Sequence, residues 1–213
     1  MAETAKIEAI VSDFGGVLTT PLLPTFLNLQ DEIGVEPGDF GKALAAATEQ
    51  HGDNPLFAME RGELTEVEFL EQLGDGLEPL VGHRPHLHRF RELFIGGLDV
   101  NPPLIELMRE LKAEGFRMAM LTNNVREWEP TWRGMLPVDE IFELVVDSAF
   151  VGCRKPEPRI YEITIERLGL PAEACVLIDD ILVNCEGARE LGMSAVHFRD
   201  NEQAIAELRA LLA

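Results

Sequence analysis

The chain has 213 residues, 46% of them hydrophobic and 26% charged, so it can bury one full core and a smaller appended unit. Its 38 acidic and 18 basic residues give a formal net charge of −20, which opposes binding to nucleic acid or to an anionic membrane. No apolar stretch approaches the ~20 residues that span a bilayer, and residues 1–6 lack the pattern of a signal peptide. We therefore expect a cytoplasmic protein.

The first predicted element is a buried strand, the apolar run Ile10–Ser12, which ends in Asp13 and the glycines Gly15 and Gly16. After about residue 100, helical and strand patterns alternate, which is typical of a parallel sheet built from βα units. The pattern predicts further strands at 117–121, 143–147, 174–178 and 195–198, with helices between them and a final helix from about residue 202.

The segment 21–97 shows helical periodicity and no strand pattern. Thr65 and Glu68 have the spacing of a capping box at the start of one helix, and residues 83–94 predict another. We therefore expect an α/β protein whose core domain, residues 1–20 and 98–213, has a Rossmann-like parallel sheet. Residues 21–97 would form an all-helical cap domain inserted into it.

Polar residues stand at three predicted strand ends and in one loop. In chain order they are Asp13 with Gly15-Gly16, Thr122-Asn123, Lys155-Pro156 and Asp179-Asp180. Their order and spacing resemble the haloacid dehalogenase-like hydrolase superfamily, in the phosphatase-like subfamily with a helical cap after the first strand. The resemblance covers almost the whole chain, and four signals in the right order are far more specific than any one alone.

The chemistry of phosphoryl transfer explains why these residue types occur together. Transfer to a carboxylate needs an ionised Asp, a divalent cation beside the phosphate, and donors to the phosphate oxygens. The resemblance implies that Asp13 is the nucleophile and forms an aspartyl-phosphate. It also implies that Mg²⁺ is held by Asp13, the backbone carbonyl of Gly15 and Asp180.

The same resemblance assigns roles to the remaining polar residues. The Thr122 hydroxyl and the backbone amide of Asn123 would bind phosphate oxygens, and Lys155 would balance the carboxylates and the transferring group. Asp179 would lie outside the set of metal ligands, and Asn184 would steady the loop after the acidic pair.

Gly15 departs from the usual pattern of this superfamily. Most of its phosphatases have a second Asp two residues after the nucleophile, which protonates the leaving group and later activates water. Glycine supplies no proton, and general acid/base catalysis is typically worth about 10²–10⁴-fold. A water molecule or a residue of the insert, such as Glu60, His51 or Arg61, would have to replace it.

Three functions agree with these residues. The leading one is a Mg²⁺-dependent phosphatase that acts on a small phosphorylated metabolite. A metal-independent 2-haloacid dehalogenase also lacks the second Asp, although the pair Asp179-Asp180 argues against it, because a site without metal gains nothing from crowded carboxylates. The third is a weak or silent member that binds a metabolite or a partner. The sequence leaves the oligomeric state open, a homodimer included.

Overall fold

The computed structural model describes residues 6–213, so residues 1–5, which the sequence assigned to the core domain, lie outside it. Five parallel strands form one sheet in the order β3-β2-β1-β4-β5. They are β1 (Ala9–Ser12), β2 (Arg117–Thr122), β3 (Leu144–Asp147), β4 (Cys175–Asp179) and β5 (Ser194–His197). The predicted α/β class and Rossmann-like parallel sheet are therefore confirmed.

Helices occupy most of the remaining chain. They are α1 (Leu22–Glu32), α2 (Asp39–His51), α3 (Pro55–Glu60), α4 (Glu66–Val81), α5 (Phe90–Gly96), α6 (Pro102–Ala113), α7 (Glu129–Trp132), α8 (Val138–Ile141), α9 (Ser148–Val151), α10 (Pro158–Leu168), α11 (Leu182–Glu190) and α12 (Asn201–Leu212). Within residues 6–213, no helix is both long and apolar enough to cross a membrane.

Alternate residues of the central strands belong to two separate cores, one on each face of the sheet. Ile10 and Met120 pack in the core that α6 and α12 cover, whereas Val11 and Leu177 pack in the core that α10 and α11 cover. Because both faces are covered, these strands are apolar on both sides. This explains why β1 has the continuous apolar run seen in the sequence.

Helices α1–α5 are inserted between β1 and α6. The chain leaves and re-enters the core at adjacent points, where Thr19 forms an antiparallel bridge with Val100. Beside this bridge, the Asn101 amide donates a 2.8 Å hydrogen bond to the Leu18 carbonyl. The insert is therefore connected to the sheet by two neighbouring segments. Its role as a cap is not tested by its fold and stays a prediction.

Local signals in the insert were right for one helix and wrong for another. Thr65 and Glu68 cap α4 reciprocally, which confirms the predicted capping box. The helix predicted over 83–94 begins only at Phe90. Pro85 lies inside that range, and a proline disfavours helical conformation in the residue before it. The chain turns at Leu87, whose carbonyl accepts a hydrogen bond from the Phe90 amide.

The most extensive helix packing in the insert is between α2 and α4. Gly76 of α4 faces Ala43 of α2 so closely that a Cβ at Gly76 would lie 2.7 Å from the Ala43 carbonyl oxygen. A Cβ at Gly41, also helical, would meet nothing within 4 Å. The glycine at position 76 therefore sets the distance between the two helices.

We expect Gly76→Ala to destabilise the protein by about 1–3 kcal/mol, because the added methyl group overlaps backbone atoms. Gly41→Ala is the matched control, and helix propensity alone predicts a change between zero and a gain of about 1 kcal/mol. Urea unfolding of both variants measures the difference. Equal midpoints for the two variants would contradict the close approach of α2 and α4.

Asp147 ends β3 with a carboxyl group that is only partly satisfied. Its Oδ1 accepts a 3.0 Å hydrogen bond from the Ala149 amide, whereas Oδ2 is buried without a partner. Burial raises the pKa of Asp147 to about 7. The unfolded chain ionises this group near pH ~3.9, so the folded state loses stability as the pH rises from that value to about 7.

We expect Asp147→Asn to raise the free energy of unfolding at about pH 8 by on the order of 2 kcal/mol, with little effect at about pH 4. The amide oxygen keeps the bond to Ala149, and the buried charge is removed. Urea titrations at the two pH values test this, with exposed Asp31→Asn as control. A gain that is the same at both pH values would show that burial of the charge is not its cause.

Candidate active site

The predicted site residues meet at one edge of the sheet. Asp13 follows β1, Thr122 ends β2 and Asp179 ends β4, and parallel strands place their carboxyl ends at the same edge. Lys155 reaches this edge from the loop between α9 and α10. The spacing seen in the sequence therefore corresponds to one cluster in space.

Lys155 is the centre of this cluster and is completely buried. Its Nζ lies 2.9 Å from Asp13 Oδ1, 2.6 Å from Asp179 Oδ2 and 2.9 Å from the Leu121 carbonyl oxygen. An ammonium group has three protons, so each one has an acceptor. Burial by itself lowers the pKa of Lys155, but the Asp13 and Asp179 carboxylates outweigh burial and raise it, so the ammonium stays charged.

Three carboxylates crowd together beside this ammonium group. One oxygen each from Asp13, Asp179 and Asp180 lies within 4.8 Å of the others. Burial raises the pKa of Asp13, its two acidic neighbours raise it further, and Lys155 opposes the shift. Burial and then Asp179 raise the pKa of Asp180 to about 6. One ammonium group therefore offsets only part of the repulsion.

The oxygen atoms left over in this cluster fit a hard divalent cation. Asp13 Oδ1 forms the ion pair with Lys155 and accepts a 2.7 Å hydrogen bond from the Phe14 amide, which leaves Oδ2 available. Asp180 Oδ1 is buried without a partner. Gly16 has φ +75° and lies so close to Asp180 that a Cβ there would overlap its carboxylate. Mg²⁺ prefers such oxygen ligands.

Asp179, in contrast, is fully engaged by protein groups. Besides Lys155, its carboxylate accepts hydrogen bonds from the Ile181 amide at 2.8 Å and from Asn184 Nδ2 at 3.0 Å. Tyr161 in turn donates its hydroxyl to the Asn184 carbonyl oxygen. Asn184 thus holds Asp179 directly. This geometry agrees with the prediction that Asp180, rather than Asp179, is the metal ligand, and that assignment stays a prediction.

Asn123 has a positioning contact that the sequence did not reveal. Its side chain forms two reciprocal hydrogen bonds with the backbone of Lys155, at 2.8 and 2.9 Å. The loop after β2 therefore fixes the segment that carries the lysine. Thr122 and Asn123 also line a cavity between the insert and the sheet. Their contacts with phosphate, and that of the Gly15 carbonyl with a metal, stay predictions.

The three candidate proton donors of the insert, Glu60, Arg61 and His51, lie in different surroundings. Glu60 of α3 lines the cavity, and its Oε2 lies 2.5 Å from Arg154 Nε. Arg61 forms ion pairs with Asp53 and Glu63, and His51 is exposed at the end of α2. Burial raises the pKa of Glu60, which Arg154 opposes. These partners are 94 residues apart, so no local pattern could have found the pair.

A cavity of about 330 Å³ lies between the insert and this edge of the sheet. Most of its residues come from the ends of β1, β2 and β4 with the segments that follow them, and from all five helices of the insert; Arg154 comes from the loop between α9 and α10. Most are apolar: Phe14, Leu22, Phe26, Phe40, Leu44, Leu56, Phe57, Met59, Phe69, Leu73, Phe90, Phe94, Ile95, Leu98, Val125, Trp128, Trp132 and Ile181. The others are Gly15, Glu60, Thr122, Asn123, Asn124 and Arg154. The sequence pattern did not predict that these apolar residues surround a cavity.

Proteins similar to the chain in sequence include one from mouse and one from a fungus. The chain is 28% identical over 208 residues to acyl-CoA dehydrogenase family member 10 of Mus musculus, covering 96% of this chain but only 19% of that much longer protein. It is 28% identical over 214 residues to the sesquiterpene phosphatase astK of Aspergillus oryzae, covering 96% of each.

The fold is shared with a solved enzyme of the HAD family from Bacteroides thetaiotaomicron, in complex with magnesium and inorganic phosphate. The TM-score is 0.66 at 23% identity, over 91% of this chain and 94% of that one. The family profile of the haloacid dehalogenase-like hydrolases matches residues 7–192. With this match over most of its length and the fold of a solved member, the chain belongs to the haloacid dehalogenase-like hydrolases.

Proposed function

We propose that this hydrolase is a Mg²⁺-dependent phosphatase that cleaves phosphoric monoesters through Asp13. The observation that carries the proposal is the Asp13 carboxylate, held by Lys155 on one oxygen and open on the other, beside the unpartnered Asp180 oxygen. A relative named as a phosphatase and a solved member bound to magnesium and phosphate support it.

Asp13, Asp180 and the Gly15 carbonyl would hold the cation. When bound, a divalent cation supplies the positive charge that lets an anionic phosphate approach ionised carboxylates. This charge matters here because the whole chain has a formal net charge of −20, which repels phosphate esters. Lys155 alone is already matched by Asp13 and Asp179.

In the first step, the Asp13 carboxylate attacks phosphorus, and the bond between phosphorus and the ester oxygen breaks. The phosphoryl group is then on Asp13, and the alcohol oxygen leaves with the bonding electrons and takes up a proton. Water then attacks phosphorus, and the bond between phosphorus and the Asp13 oxygen breaks, which releases inorganic phosphate and the Asp13 carboxylate. One proton of this water restores the group that protonated the alcohol. Lys155 keeps Asp13 oriented, while the Thr122 hydroxyl and the Asn123 amide would bind the equatorial oxygens.

We propose Glu60 as the group that protonates the leaving oxygen, since Gly15 cannot. Among residues 6–213, Glu60 supplies the one carboxyl group that lines the cavity shared with Gly15 and Thr122. It reaches this place because α3 of the insert is joined to the core by the Glu60–Arg154 ion pair. Helices α1–α5 would thus act as a cap that contributes to the chemistry and excludes water.

Asp13→Asn should lower kcat for phosphate release from p-nitrophenyl phosphate by at least about 10³-fold, because the nucleophile is lost. Exposed Asp31→Asn is the control and should keep full activity. EDTA should abolish turnover, and added Mg²⁺ should restore it. Calorimetric titration with Mg²⁺ should show binding to wild type and Asp31→Asn, and weakened binding to Asp180→Asn.

The same assay separates the alternatives. Halide release from 2-haloacids that persists in EDTA would instead identify a dehalogenase. Mg²⁺ binding without turnover of any ester would identify a silent member of the family. Full activity of Asp13→Asn would contradict the proposed nucleophile.

Glu60→Gln should lower kcat for an alkyl phosphate by about 10²-fold or more, because an alkoxide leaves poorly without a proton. For p-nitrophenyl phosphate, whose leaving group needs no proton, the loss should stay below about tenfold. Glu63→Gln is the matched control, since Glu63 is paired with Arg61 outside the cavity. Equal losses with both substrates would show that Glu60 has a structural role only.

A further inference from the structure

The cavity beside Asp13 is too apolar for an ordinary polar metabolite. Seven of the chain's eleven phenylalanines and both of its tryptophans line it. At about 330 Å³ it lies near the lower end of the ~300–1,000 Å³ typical of small-molecule sites. A helical insert that only had to cover a phosphate group would need no such chamber.

The polar residues of the cavity lie towards the carboxylate cluster. Asn123 is bonded to the Lys155 backbone, and Arg154 precedes Lys155 and binds Glu60. The wall formed by α2 and α4, in contrast, contributes only Phe40, Leu44, Phe69 and Leu73. The cavity is therefore polar where a phosphate group would react and apolar in its depth.

The edge of the cavity is apolar as well. Phe57 is 37% exposed and Ile181 is 46% exposed, yet both line the cavity. The Arg154 guanidinium lies 3.9 Å from the centre of the Phe57 ring, so it covers an aromatic face while it binds Glu60. The cavity therefore has apolar surface at its exposed edge as well as in its interior.

We propose that the substrate is the phosphate monoester of an apolar alcohol, whose hydrocarbon portion fills the chamber between the insert and the sheet. This inference rests on the proposed phosphatase function. Hydroxyl groups of a sugar phosphate would lose their water against phenylalanine side chains and find no partner, which is costly. A hydrocarbon chain gains free energy from the same walls.

Binding can be measured without turnover by using alkylphosphonates, in which a P–C bond replaces the cleavable ester bond. Both tryptophans line the cavity, so their fluorescence reports occupancy. With Mg²⁺ present, Kd should fall about fourfold for each added methylene until the chamber is full, and then level off. In parallel, kcat/KM for alkyl phosphates should rise with chain length and exceed that for glucose 6-phosphate.

Leu44→Phe tests whether the chain enters the depth of the cavity. Leu44 is partly buried on α2, and the larger ring takes up space in the chamber. The affinity of this variant should level off at a shorter chain than that of wild type, while methylphosphonate binds both equally. Leu80→Phe, at an exposed position on α4 outside the cavity, should behave as wild type.

The possible failures are distinguishable. Phosphonate affinity that is independent of chain length, or a preference for glucose 6-phosphate, overturns the apolar substrate and leaves the phosphatase proposal standing. Chain-length dependence that is identical in Leu44→Phe and wild type places the hydrocarbon elsewhere and also overturns the inference. Absence of phosphate release from p-nitrophenyl phosphate and from every alkyl ester contradicts the phosphatase proposal itself.

Discussion

The buried ammonium of Lys155 is the interaction on which the site depends. Its three acceptors, Asp13, the Leu121 carbonyl and Asp179, belong to the ends of β1, β2 and β4, so one side chain connects three adjacent strands. Removing the ammonium would leave two buried carboxylates uncompensated, which in other proteins costs about 3–5 kcal/mol. Buried ion pairs contribute little net stability. The ion pair with Lys155 instead orients the Asp13 carboxylate, because it occupies Oδ1 and leaves Oδ2 open.

The requirement for an oriented lysine explains several residues around it. The Asn123 side chain binds both the backbone amide and the backbone carbonyl of Lys155, and Asn184 donates to Asp179, whose carboxylate faces the ammonium. The three carboxylates therefore have different roles. Asp179 neutralises the lysine, whereas the open oxygens of Asp13 and Asp180 remain for positive charge from outside the chain.

The sequence was sufficient for the sheet and for the edge where the polar residues meet. Apolar runs buried on both faces are strong local signals, and strand ends that share one edge follow from parallel topology. The periodic pattern predicted a helix from residue 83, whereas α5 begins at Phe90. Pro85 and the turn at Leu87 keep the residues before Phe90 out of the helix. The Glu60–Arg154 pair and the aromatic chamber could not be predicted, since they require the orientation of five helices relative to a distant loop. A periodic pattern says which face of a helix is apolar, but not whether that face closes on a core or borders a cavity.

The two segments that connect the insert to the core are held together by the bridge between Thr19 and Val100. Because the two ends of the insert meet in one bridge, the sheet holds its order whatever chain length lies between them. The entropy of closing an inserted loop grows only slowly with its length, by about 0.6 kcal/mol for each doubling. The core domain therefore keeps its sheet when the length of the insert changes. The inserted helices can be exchanged as one module, while Asp13, Lys155 and Asp180 keep their places in the core.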